Sequence, residues 1–114
     1  MSGVSQTKYE AAIGTISPYV PKTVDRAPRG KRFSTHQFIK AFRQDPEAEI
    51  AYQQALTILA DNAGWSHAAA QVLHGQVIPE LLRASPDVRF AGFAHDAPEE
   101  ERDGTHVPSY WRKE

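Results

Sequence analysis

Between Asn62 and Ser66 one helical pattern stops and another begins, and this joint constrains the fold more than any other part of the chain. Upstream of it, Tyr52, Ala55, Leu56 and Leu59 form an apolar stripe at helical spacing. Asp45 is a good N-cap, Pro46 suits the first helical position, and Glu47 and Glu49 complement the positive helix end. A helix is therefore predicted over about 46–62. Gly64 supplies its stop, because glycine takes the left-handed conformation without strain. Ser66 then caps a further helix whose apolar face is Ala69, Ala70, Leu73, Val77, Ile78, Leu81 and Leu82. Pro79 removes a hydrogen bond from that helix and is expected to kink it.

Order is expected to begin at Phe33. Ser34 and Gln37 are spaced as a capping box, Phe33 and Phe38 stand at the positions of a hydrophobic staple, and Phe38, Ile39 and Phe42 give a short buried face through about residue 44. Ahead of this point, Gly3, Gly14, Pro18, Pro21, Pro28 and Gly30 interrupt any period beyond a single helical turn at 9–13. Residues 1–32 are thus predicted to be an extended basic N-terminal arm, ordered on a partner, ahead of a domain over 33–114. After Ser85 and Pro86 the period changes. Val88, Phe90 and Gly92 alternate with Arg89, Ala91 and Phe93, which predicts a strand. Residues 97–104 are acidic and turn-like. Residues 105–112 are expected to return as a second strand, with Pro108 placing it at a sheet edge and Tyr110 and Trp111 covering the core. The predicted fold class is α+β: a three-helix core followed by a β-hairpin, with the arm in front.

A chain of 114 residues makes one domain. With no cysteine, a disulfide framework, a thiolate zinc site and a cysteine nucleophile are all excluded, and the composition fits a reducing compartment. No apolar run approaches the ~20 residues of a membrane span, and the N-terminus lacks a basic-then-apolar leader. The expectation is a soluble cytoplasmic protein with no membrane partner. Net charge is −1 but unevenly spread: residues 22–44 carry +6 and residues 45–114 carry −7. Such a split implies contact with a polyanion through the basic half, or a solvated basic arm.

Across 60–73 the sequence reads ADNAGWSHAAAQVL. Ala60 stands where two helices touch, four residues before the turn glycine; Ala63 and Trp65 bracket the turn, and Ala70 and Leu73 anchor the second helix. Here the chain resembles the winged helix-turn-helix superfamily, whose fold adds a β-hairpin wing behind a recognition helix. The resemblance covers residues 34–112 in element order and about fourteen residues in spacing. It implies that the helix over about 66–78 enters the major groove of double-stranded DNA, presenting Ser66, His67, Gln71 and His74. Glutamine pairs bidentately with adenine, and serine and histidine contact phosphates or bases.

That face carries no Arg or Lys before Arg83. Phosphate neutralisation then falls to Arg26, Arg29, Lys31 and Arg32 in the arm, with Lys40 and Arg43 extending the patch along the first helix. The expected function is a small DNA-binding regulator or accessory protein. The alternative is a protein–protein interaction module on the same scaffold, with the acidic hairpin at 96–103 as its contact surface. A homodimer fits paired half-sites, although no heptad specifies one.

No enzyme is expected. A nucleophile elbow, a phosphate-binding glycine loop and an HExxH motif are all missing from the sequence. His67 and His74 lie about 10 Å apart along the helix axis, too far to share one ion. His95, Asp96 and His106 can approach one another across the hairpin, but polar surface histidines are the expected reading, with no metal and no cofactor.

Overall fold

The structure, a computed structural model, describes residues 6–60, 66–93 and 109–114, with side chains from residue 7 and, in the second segment, from residue 69. It is α+β. Four helical runs pack against a three-stranded antiparallel sheet of strand order β1–β3–β2.

Within the 1–32 span expected to be an extended arm, residues 6–26 form the first helical run. Helix α1 (Gln6–Ile16), a 3₁₀ turn (Ser17–Tyr19) and α2 (Val20–Arg26) follow one another without a break. The cause is an apolar residue at every fourth position: Ala12, Ile16, Val20 and Val24 form a single stripe and are at most 5% exposed. The prolines do not break it, because Pro18 and Pro21 fall in the first two positions of their helical segments, where the missing N–H has no partner to lose. Tyr9 ties this run to the rest, its hydroxyl donating to Glu80 Oε1 at 2.9 Å. Burial and that bond push the phenol up to about 12.

Nor does order begin at Phe33. Gly30, at φ +77°, turns the chain so that its N–H donates to the Lys113 carbonyl at 2.7 Å, and β1 (Arg32–Ser34) follows. Ser34 then caps α3 (Thr35–Phe42) with the predicted capping box, and the Phe33 and Phe38 rings stack at 6.2 Å. Asp45 caps α4 (Pro46–Leu59), accepting from the Glu47 and Ala48 N–H groups at 3.0 and 3.4 Å. Tyr52, Ala55 and Leu59 are buried as expected, with Ala48 and Ala51 beside them. The Asn62–Gly64 stop and Trp65 lie outside the described residues.

Asp45 also holds the N-terminal run in place. Lys22 Nζ is 2.7 Å from its Oδ2 and Arg26 Nη2 3.6 Å. The Lys22 ammonium, then the two backbone N–H groups, hold this carboxyl below the usual carboxylate range. Because its folded value is depressed, the stabilisation is full above the unfolded value of about 4 and is lost as pH falls through the folded one. Asp45→Asn is therefore expected to lower stability at pH 7 and to flatten the loss of stability below about pH 4, as read from urea unfolding at several pH values.

The final helical run is α5 (Ser66–Val72), a π turn (Leu73–Val77) and α6 (Ile78–Ala84). The helix does not end at Pro79. One widened turn just before the proline shifts the i→i−4 ladder that its ring and missing N–H would otherwise disrupt. Ala69, Leu73, Val77, Ile78 and Leu82 are buried; Ala70 and Leu81 are half-buried.

Strands β2 (Val88–Phe93) and β3 (Ser109–Lys113) form the expected antiparallel pair, but β3 is the central strand and not an edge. Its second side is taken by β1, a partner three residues long with no alternating pattern to announce it. Pro108 lies outside the described residues. A bulge between Phe90 and Phe93 carries Gly92 at φ +105°, a conformation that favours glycine. Trp111 is fully buried, its indole N–H donating to Thr35 Oγ1 at 2.9 Å. Lys113 is also buried, and its ammonium donates to the Asp25 and Ala27 carbonyls at 3.0 and 3.2 Å, satisfying the C-terminal end of α2.

Candidate nucleic-acid interface

The residues expected to bind DNA separate into three places. Arg26 sits at the end of α2 beside Asp45, in the ion pair that docks that helix. Arg29, Lys31 and Arg32 are carried to the sheet, and Lys40, Arg43 and His74 meet in a cleft between helices. Gln71 is exposed on α5. Ser66 and His67 begin α5, but their side chains lie outside the described residues, as do the acidic hairpin tip at 96–103, His95 and His106.

At the sheet, sequence-distant arginines come into line. Arg32 on β1 pairs with Arg112 on β3, and Arg112 pairs with Arg89 on β2. Directly paired residues project from the same face, so three guanidinium groups cross the sheet in one row spanning about 10 Å at the usual strand spacing. All three residues are exposed. The Arg32 guanidinium lies 3.9 Å from the centroid of the Tyr110 ring. Arg89 Nε is 3.3 Å from Glu114 Oε1. The Arg112 side chain, in the middle, has no hydrogen bond or ion pair with any of the described residues. Arg29 flanks the row: it bridges to Lys113 in the sheet, and its guanidinium donates to the Glu114 carbonyl. Lys31 is exposed in the turn leading to β1.

Like charges facing each other across strands destabilise a sheet, so this row is costly to the free protein. Sequence reasoning found Arg29, Lys31 and Arg32 from their clustering but missed Arg89, Arg112 and Tyr110. The outward parity of Arg89 in its alternating segment was the single local signal. Alignment with Arg112 and Arg32 is a property of strand register, which local spacing does not encode.

The second place is a cleft of about 620 Å³. From α3 and its C-terminal end come His36, Ile39, Lys40, Arg43 and Gln44; from α4, Glu49 and Tyr52; from the π turn, His74. Arg43 is held on two sides. Its Nε and Nη2 donate to Glu49 Oε1 and Oε2 at 2.7 and 3.1 Å, and its guanidinium lies 4.3 Å from the centroid of the Tyr52 ring. The arginine, then Gln53, holds the Glu49 carboxyl below its usual range. The Tyr52 hydroxyl and His74 Nε2 share a hydrogen bond of 2.7 Å. His74 is thereby half-buried and engaged with α4, a poor position for reading a base edge. His36 was not anticipated; its i, i+4 relation to Lys40 was the available signal.

No group of histidine, aspartate and glutamate among the described residues is arranged to hold a metal ion, and no described helix is long and apolar enough to cross a membrane. No family model, curated protein or solved structure matches this chain.

Proposed function

We propose that this chain is a small DNA-binding protein that grips the phosphate backbone with the outer face of its sheet. The observation carrying this reading is the register that lines up Arg32, Arg112 and Arg89. A polyanion turns a mutually repelling row into a favourable one, and releases the counterions condensed on its own phosphates. Tyr110 adds an aromatic surface beside the row, and the exposed Arg29 and Lys31 add positive charge near its β1 end. The exposed Gln71 on α5 is the candidate for base contact. The winged-helix resemblance supports that assignment in that β2 and β3 follow the last helix, the position of a wing.

The test is mixed-sequence duplex DNA binding by fluorescence anisotropy across a salt series, with the native chain and an Arg32→Ala, Arg89→Ala, Arg112→Ala variant. The slope of log affinity against log salt is expected to become shallower by about 2–3 in the variant, close to one unit for each phosphate no longer neutralised. Thermal stability should hold or rise as the cross-strand repulsion is relieved. Unchanged DNA affinity in the folded variant would reject the assignment. Falling stability with unchanged slope would make the row a structural feature.

A further inference from the structure

The cleft between α3, α4 and the π turn has a chemistry of its own, separate from the arginine row. His36, Lys40 and Arg43 stand at i, i+4 and i+7, so they form one stripe along α3 and line one wall. Arg43 is fixed by its two bonds to Glu49 and by the Tyr52 ring beneath it. Tyr52 is fixed in turn by its bond to His74. These four side chains form a preorganised polar frame. Lys40 and His36 are not part of it: both are exposed, and neither side chain makes a hydrogen bond or ion pair with any described residue. The frame therefore leaves an ammonium and an imidazole as spare groups facing a concavity. Ile39 and Tyr52, 6% and 4% exposed, present only their edges to the floor of the same concavity.

We infer that this cleft binds a phosphomonoester small molecule. Its phosphate is taken by Lys40 and His36, and its organic part lies against Ile39 and Tyr52. Phosphate suits the spare groups because an ammonium is a compact donor that binds phosphate as a point charge, and an imidazole N–H donates a further bond beside it. The ion-paired Arg43 leaves Lys40 as the unneutralised permanent charge of the wall, which matches one phosphate better than a run of them. The volume, about 620 Å³, lies within the usual range for small-molecule sites and is enough for a nucleotide-sized ligand. None of these residues belongs to the sheet, so the cleft and the arginine row can be altered separately.

The experiment is isothermal titration of the full chain at low salt with adenosine monophosphate, and separately with inorganic phosphate. A single saturable site for the nucleotide is expected, with inorganic phosphate bound at least tenfold more weakly because it lacks the organic part. Lys40→Ala with His36→Ala should weaken nucleotide binding at least tenfold, and both positions are exposed, so the variant keeps its fold by circular dichroism. The Arg32→Ala, Arg89→Ala, Arg112→Ala variant should bind the nucleotide as the native chain does. Absence of saturable nucleotide binding overturns the inference. Equal affinity for inorganic phosphate overturns the role of Ile39 and Tyr52, and loss of binding in the arginine variant moves the site to the sheet. DNA binding measured on the same proteins tells failure of this site from failure of the sheet reading.

Discussion

Trp111→Ala is expected to cost about 3–5 kcal/mol of folding stability, more than any other single substitution proposed for this chain. Three features of Trp111 set that magnitude. The side chain is fully buried in the main apolar core. Its cross-strand partners are Phe33 and Phe90, and the Phe90 ring meets it edge-on at 5.7 Å, so removal leaves a cavity in the core beside that ring. Its indole N–H is bonded to Thr35 Oγ1 at the first turn of α3, which joins the central strand to that helix. Trp111→Phe keeps most of the volume and gives up the hydrogen bond, so about 1–2 kcal/mol is expected for it. Urea unfolding followed by far-ultraviolet circular dichroism separates the two. An alanine variant losing under about 1 kcal/mol would contradict the packing described. Because Arg112 follows Trp111 in the strand, the alanine variant should also lose DNA affinity as the arginine row loses its backing.

What the sequence disclosed and what it hid divide along the range of the interactions involved. The cap at Ser34 with Gln37, the cap at Asp45 with Pro46 and the buried face of α4 were readable because each is decided within four or five neighbouring residues. The hairpin of β2 and β3 was readable from alternation. Strand β1 was not, since Phe33 and Ser34 already had a local explanation as the entry to a helix, and three residues are too short for a period. The central position of β3 then went unseen with it. The candidate interface was half legible for the same reason. Arg29, Lys31 and Arg32 cluster along the chain, but Arg112 and Arg89 join them through register alone. In the cleft, Lys40 and Arg43 were found by their spacing, whereas the bond between Tyr52 and His74 depends on how α4 packs against the last helical run.

A chain beginning at residue 27 is expected not to fold cooperatively. Read as an extended arm, residues 1–32 are dispensable to the domain; the packing of α1 and α2 makes residues 6–26 part of its core. Ile16, Val20 and Val24 contribute roughly 1.5–3 kcal/mol each when fully buried, and Ala12 adds to this. The sum is comparable to the ~5–15 kcal/mol by which a domain of this size exceeds its unfolded state. Deletion also strips Asp45 of Lys22 and Arg26, leaving the cap of α4 without its cations, and removes the helix end that accepts from Lys113. The buried Lys113 ammonium then keeps only the Ala27 carbonyl of its two acceptors, and a partly unsatisfied buried ammonium is costly, so the damage reaches the central strand. Loss of dispersed amide shifts in a proton–nitrogen correlation spectrum and of a sigmoidal thermal transition is the expected result. A truncated chain that unfolds cooperatively near the native midpoint would restore the dispensable arm. The deletion leaves Arg29, Lys31 and Arg32 in place, so DNA affinity lost with it reports loss of the fold, while point substitution of the arginine row reports charge.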